Sequence, residues 1–450
     1  MIRAISLLLS SILIAWSFYG GDLIGGGPGF GLTQGLILIG GILLALSCLA
    51  KKSLAAGVLT MYVSAGLTLL IAELVLRPIL GPRYFGVYEL DEYYLYKLIP
   101  NTTREYNRQS INEKGYVRYK INSDGFRGEE LSKGSDHKRI VVYGDSFIHA
   151  EFSALQDTFT EQLEDKLSAR IGKEVEVINA GVAGYGPDQI VRRMEKELAW
   201  LDPDLVVVGI YAGNDFGDLV RNKLYRLDED GNLEPNSFVV SDEIKVNMAL
   251  SRSELLIKKI LRDVARNLRS SGQMNAQIQS RQSSIESSLI QNNNEYRGYI
   301  LEGDNIVVEL ASDPYNADVS LLPDSDSAVY KKKLMDRVIE RMKNISDELS
   351  IPLILLIIPN PMDVLGGTHD SGEVDRQAYL DYEPEALTNT LQRIAEKHGI
   401  DNINLFDFFQ QRGAAQLYFS GGDDHWNELG QAVAADVVAD FLTTEPQILE

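Results

Sequence analysis

The chain has 450 residues, is 45% apolar and carries a formal net charge of −21. That length exceeds one average domain, so two or three parts are expected. An acidic balance argues against nucleic acid as the partner, and the single cysteine, Cys48, rules out an intrachain disulfide and a cysteine-based zinc site.

The charge is uneven. Residues 1–80 hold Arg3, Lys51, Lys52 and Arg77 against Asp22 and Glu73, a net of about +2, which leaves about −23 for the rest. Three apolar stretches, 5–18, 32–50 and 54–76, fill this segment. The first could pass for a signal-peptide core behind Arg3, but no small-x-small cleavage site follows it and two more apolar stretches do. The others are long enough to cross about 30 Å of hydrocarbon, so a module of three transmembrane helices is expected. Arg3 and Lys51-Lys52 would face the cytoplasm, and three crossings deliver everything after residue 80 to the outside. Arg77 and Arg83 oppose this mildly, as interfacial arginines can snorkel. Gly25-Gly26-Gly27-Pro28-Gly29-Phe30-Gly31 superficially resembles a phosphate-binding loop, but such a loop follows a strand and opens a soluble helix; here it reads as a flexible turn.

Residues 81–135 form a connector rich in Tyr and Asn, with extended pieces such as Gly115-Tyr116-Val117-Arg118-Tyr119. Strands are then expected at 139–143, 175–178, 205–210, 353–358 and 403–406. Helices are expected from Phe159, Leu163 and Leu167, at 187–201, 329–349 and 384–397, and from Asn427 to about 442. This alternation predicts an α/β fold with a parallel sheet covered on both faces, whose ligands sit at the carboxyl ends of the strands. A polar insertion at about 217–325 interrupts the pattern. It opens with an Asp230-Gly231 hairpin signal and becomes Ser, Gln and Asn rich between about 265 and 295.

Four short blocks carry the chemistry. Tyr143-Gly144-Asp145-Ser146-Phe147 puts a serine at a strand end, and Asn179-Ala180-Gly181-Val182-Ala183-Gly184-Tyr185-Gly186 follows the next strand. Tyr211-Ala212-Gly213-Asn214-Asp215 and Asp423-Asp424-His425-Trp426-Asn427 complete the set. Together they supply a nucleophile, a base, an orienting acid and oxyanion donors, the inventory of acyl transfer through a serine.

These blocks, in this order, resemble the SGNH (GDSL-type) hydrolase family across residues 136–450 apart from the insertion. Upstream, Ile121-Asn122-Ser123-Asp124-Gly125-Phe126-Arg127-Gly128 resembles a lead-in of a membrane-anchored bacterial branch similar to polysaccharide O-acetylation proteins. The resemblance implies a flavodoxin-like three-layer sandwich with Ser146 as nucleophile and His425 as base. It implies an oxyanion hole of the Ser146 N–H, the Gly184 N–H and the Asn214 amide, with Gly181 the alternative glycine. The commonest family pattern has the acid three residues before the histidine, which here is Gly422. Asp423, two before, resembles the Asp-x-His version and is preferred to Asp424, which adjoins the histidine and would usually point elsewhere. Asp145 reads as a loop or helix-start residue, His149 as structural, and Trp426 and Asn427 as packing and capping the closing helix.

The expectation is a membrane-anchored serine esterase acting on short acyl esters, above all acetyl, of extracytoplasmic carbohydrate. No cofactor or metal is required. An O-acyltransferase to an exported polysaccharide would use the same residues, a lipid esterase would need an apolar lid, and a non-catalytic envelope assembly component is the alternative of another class. Protein partners are not determined by the sequence.

Overall fold

The computed structural model describes residues 1–19, 32–111, 113–134, 137–270, 285–301, 306–308, 310, 315–370 and 372–448. The glycine-rich turn expected at 25–31 and much of the Ser/Gln/Asn-rich stretch lie outside the described residues. The chain divides into two compact units. One comprises residues 1–87 and 242–275, the other residues 88–241 and 276–450.

The first unit begins with α1 (Ile2–Tyr19), α2 (Leu32–Ser47) and α3 (Lys52–Tyr84). Among the described residues one helix, α3, is long and apolar enough to cross a membrane; α1 and α2 are apolar but shorter. Of the three expected spans, α3 is therefore the one that has the length.

The second unit starts with two antiparallel hairpins. Strand β1 (Tyr88–Asp91) pairs with β2 (Leu95–Leu98), and β3 (Thr102–Asn107) with β4 (Tyr116–Ile121). Burial along β4 alternates strictly, with Val117, Tyr119 and Ile121 inward, as a strand covered on one face requires. The lead-in then runs back along the body: isolated bridges join Ile121 to Arg127 and Arg127 to Asn179.

The central sheet has five strands: β5 (Lys138–Gly144), β6 (Val175–Gly181), β7 (Leu205–Tyr211), β8 (Leu353–Ile358) and β9 (Asp401–Asn404). Their order across the sheet is β9-β8-β7-β5-β6, and every pairing is parallel. Counted along the chain this is the 2-1-3-4-5 order of a flavodoxin-like sheet, with the switch in direction at β5. The two strands β7 and β8 are continuous apolar runs, as strands covered by helices on both faces are. All of Leu205–Tyr211 and Leu353–Ile358 is buried.

Four helices flank the first three strands: α4 (Ser146–His149), α5 (Phe159–Ile171), α6 (Pro187–Leu201) and α7 (Asp215–Asn222). The insertion contributes α8 (Asp242–Ser253) and α9 (Leu256–Ser270), which belong to the first unit. The sandwich resumes with α10 (Asp326–Leu349), α11 (Ala386–Lys397) and α12 (Glu428–Thr444). The hairpin expected from Asp230-Gly231 is present, Tyr225 pairing with Pro235 and Leu227 with Leu233, and Gly231 takes φ +79° in its turn.

Within the central sheet one strand departs from expectation. The last strand was expected over 403–406 but ends at Asn404, and Phe406 opens a short helix. The Asn404 side chain accepts the Phe406 N–H at 3.1 Å, offering the backbone a turn in place of the ladder.

Candidate active site

Ser146 is the first residue of α4, directly after β5. Asp145 caps that helix, its carboxylate accepting the Phe147 N–H at 2.9 Å. Burial raises the Asp145 pKa to about 6. The turn is tight: a Cβ on Gly181, in the neighbouring strand, would lie 2.3 Å from the His149 nitrogen. Only glycine lets β6 pass α4 so closely.

His425 reaches across from the C-terminal block. Its Nε2 is 2.7 Å from Ser146 Oγ, and its Nδ1 is 2.9 Å from Asp423 Oδ1. In the neutral form of the ring the serine hydroxyl donates to Nε2, and Nδ1 carries the proton and donates to Asp423, a tautomer assigned from these partners. The same Asp423 oxygen accepts the His425 backbone N–H at 3.0 Å, a local turn in which an Asp two residues back meets both ends of the histidine. Phe147 stacks on the ring at 4.9 Å and Phe152 meets it edge-on at 5.4 Å. Burial alone would pull the His425 pKa down; the carboxylates of Asp423, Asp424 and Asp145 outweigh it and push the pKa to about 10.

Asp424, expected to point elsewhere, does so only in part. Its Oδ2 accepts the Tyr211 hydroxyl at 2.8 Å, while its Oδ1 stands 3.5 Å from His425 Nδ1. Asp423, Asp424 and His425 bring one ligand-type atom each within 4.8 Å of the others, the only such group among the described residues. Two of the three, His425 and Asp423, already share the hydrogen bond at Nδ1, so a cation held through that nitrogen would compete with its proton.

Gly184 and Asn214 occupy the loops after β6 and β7, at the same carboxyl-end edge as Ser146. Gly184 is half-buried with φ +77°, a conformation that favours glycine. Gly181 is held inside the sheet: its N–H donates to Asn179 Oδ1 at 3.1 Å, and its carbonyl meets His149 Nδ1 at 3.1 Å. The two glycines thus differ, Gly184 in a half-exposed turn and Gly181 committed to internal bonds. Asn214 is the N-cap position of α7 without making a side-chain cap bond. Its loop is braced by Asn316, whose backbone N–H donates to the Gly213 carbonyl at 2.7 Å and whose amide donates to the Ala212 carbonyl at 3.2 Å.

His149, just past the first block, and Trp426 and Asn427 in the last are held by internal contacts. His149 is fully buried; burial and then Arg127 pull its pKa down to about 3, so it stays neutral. Trp426 is buried and donates its indole N–H to the Phe147 carbonyl at 3.0 Å. Asn427 caps α12, accepting from Leu429 and Gly430.

Two contributors, Tyr96 and Arg221, lie outside the sequence motifs, and a third, Arg127, lies in the lead-in without an expected role. Tyr96, in the connector, donates its hydroxyl to the Ala183 carbonyl at 3.0 Å, fixing the peptide plane that carries the Gly184 N–H. Arg221 donates to the Gly184 carbonyl at 2.8 Å and pairs with Asp218 at 3.0 Å. Arg127, from the lead-in, donates to the carbonyls of His149, Ala150 and Ser153, gripping the chain just past α4. The signals in the sequence were a tyrosine-rich connector and the lead-in that contains Arg127.

No family model matches the chain, and no curated protein matches it. Among solved structures it is similar to a lipase/acylhydrolase from Enterococcus faecalis, at 13% identity over 68% of this chain and 96% of that one, TM-score 0.33. It is also similar to an esterase from Pseudoalteromonas sp., at 12% identity over 69% and 99%, TM-score 0.33. An acetylxylan esterase from Geobacillus stearothermophilus matches at 12% identity over 69% and 95%, TM-score 0.33.

Proposed function

We propose that the protein is a membrane-anchored serine esterase acting on short acyl esters, above all acetyl, of extracytoplasmic carbohydrate. The observation that carries the proposal is the hydrogen-bonded line from Ser146 Oγ through His425 to Asp423 Oδ1, at 2.7 and 2.9 Å. Neutral His425 takes the Ser146 proton as Oγ attacks the ester carbonyl, and Asp423 holds the tautomer and stabilises the imidazolium. The tetrahedral oxyanion is received by the N–H groups of Ser146 and Gly184 and the Asn214 amide. Loss of one such donor costs on the order of 3–4 kcal/mol of transition-state stabilisation. Imidazolium then returns its proton to the leaving sugar oxygen, leaving an acyl-Ser146 that water opens with His425 again as base.

Membrane attachment is supported by the length and apolar character of α3. The extracytoplasmic side rests on the Arg3 and Lys51-Lys52 charges together with an odd number of crossings. A sugar hydroxyl in place of water would turn the same site into an O-acyltransferase.

The test is a fluorophosphonate probe followed by an ester panel on the full chain. Ser146 should be the labelled residue, and labelling should vanish in Ser146→Ala and fall steeply in His425→Ala. Labelling that survives both changes overturns the reading. Release of free acetate from acetylated glycans separates hydrolysis from transfer. Turnover of long-chain lipid esters with none on acetyl esters would overturn the carbohydrate substrate.

A further inference from the structure

Glu73 is the only acid in the apolar stretch 54–76 and lies one turn from its end. A carboxylate at that depth needs partners. It has two: it accepts the backbone N–H of Leu256, the first residue of α9, at 3.0 Å, and it pairs with Arg77 at 3.0 Å. Arg77 in turn donates to the Glu254 carbonyl at 3.0 Å. Further along, Lys259 donates to the Tyr84 carbonyl at 3.0 Å, and Arg77 and Lys259 both lie over the Phe85 ring, at 4.4 and 4.5 Å. The start of α9 is therefore fastened to α3 at the level where its apolar stretch ends.

The sequence of α9 suits that level. At helical spacing Ile257, Ile260, Leu261 and Val264 share one face, and Lys258, Lys259 and Arg262 share the opposite one. Leu256 is fully buried, but Leu261 and Val264 are 63% and 51% exposed, and Leu74, Val75 and Ile79 near the end of the apolar stretch of α3 are exposed as well. Glu254, 2% exposed, pairs with Lys258 at 3.2 Å and with Arg262, so one acid faces two cations and a positive excess remains.

We propose that α9 is an interfacial helix that lies on an anionic lipid surface beside the span, its apolar face in the acyl boundary and its cations among the headgroups. Such helices combine a modest apolar face with Lys/Arg opposite it, and each cation near an anionic leaflet adds attraction. The inference rests on the reading of α3 as a membrane span. A segment from the middle of the insertion thereby becomes a second attachment point.

The experiment uses the full chain in a Cys48→Ser background, reconstituted in phosphatidylcholine vesicles with and without phosphatidylglycerol. Spin labels are placed at Leu261→Cys, Val264→Cys, Ile71→Cys in α3 and Leu380→Cys, the last 84% exposed in the other unit. Relative accessibility to oxygen and to a water-soluble nickel chelate reports depth. Ile71 should be oxygen-rich, Leu380 nickel-rich, and Leu261 and Val264 at interfacial depth, moving deeper when phosphatidylglycerol is present. Replacing Lys258, Lys259 and Arg262 by Gln should remove that dependence on phosphatidylglycerol. Leu261 and Val264 labels as nickel-rich as Leu380, with Ile71 oxygen-rich, overturn the interfacial helix and leave the span standing. Labels shielded from both agents mean that protein covers the face, which also overturns it. An Ile71 label in water overturns the span and this inference together.

Discussion

Tyr211 gives its hydroxyl to Asp424 at 2.8 Å and thereby commits one oxygen of the carboxylate that adjoins His425. The other oxygen stays 3.5 Å from Nδ1, against 2.9 Å for Asp423, so of two neighbouring acids the nearer one has the hydrogen bond. Asp423→Asn should therefore lower kcat/KM far more than Asp424→Asn. The analogous change in a serine protease triad costs about 10⁴-fold through the wrong tautomer; Asp424→Asn should cost about tenfold or less. Steady-state kinetics on an acetyl ester decide it, and a larger loss for Asp424→Asn sinks the assignment.

The pH profile should follow from the raised His425 pKa of about 10. The base acts only when neutral, so kcat/KM should climb with pH well into the alkaline range. Removing one of the carboxylates that raise it, by Asp424→Asn, should move the acid limb to lower pH. For stability the sign is opposite. A group whose pKa is raised on folding from about 6.5 stabilises fully below that value and loses the contribution as pH rises through about 10. A flat profile between pH 6 and 9 in the native enzyme would contradict the charge environment described (roughly the span from the ordinary histidine pKa upward).

Tyr96→Phe removes the hydroxyl that holds the Ala183 carbonyl and so loosens the plane of the Gly184 N–H. One neutral hydrogen bond is worth about 1 kcal/mol, so kcat should fall by about tenfold or less with KM unchanged. In the proposed oxyanion hole Asn214→Ala removes a donor and should cost about 10²–10³-fold in kcat. If Tyr96→Phe alters KM alone, the tyrosine contacts substrate and does not position the glycine.

Arg127→Ala should destabilise the second unit. It strips three carbonyls just past α4 of a charged donor, and hydrogen bonds to charged groups are worth about 1.5–3 kcal/mol each. A loss of about 3 kcal/mol or more in denaturant unfolding is expected, while Arg127→Lys should recover only part of it, lacking the planar fork. An unchanged midpoint would show that solvent serves those carbonyls equally well.

The sandwich was legible because its signals are local. Strands such as Leu353–Ile358 are short apolar runs, α6 begins at a proline, and Ser146, Gly184 and Asn214 each follow a strand, which places them at one edge of any parallel sheet. Where the sequence erred it was at a boundary, as at Asn404, where a side chain competes with the ladder. The contacts around these residues were not legible. Tyr96 to Ala183, Arg127 to His149 and Tyr211 to Asp424 join positions far apart in the chain, and a tyrosine or arginine looks the same in sequence whether it faces solvent or a carbonyl. The insertion makes the point most plainly. Its overall polarity hid α9, because averaging over a hundred residues erases a period of 3.6, and only the folded chain brings Leu256 to the carboxylate of Glu73. Periodicity sets which side of an element turns inward. Which partner it meets there is decided by long-range packing, whose contacts no single stretch of sequence encodes.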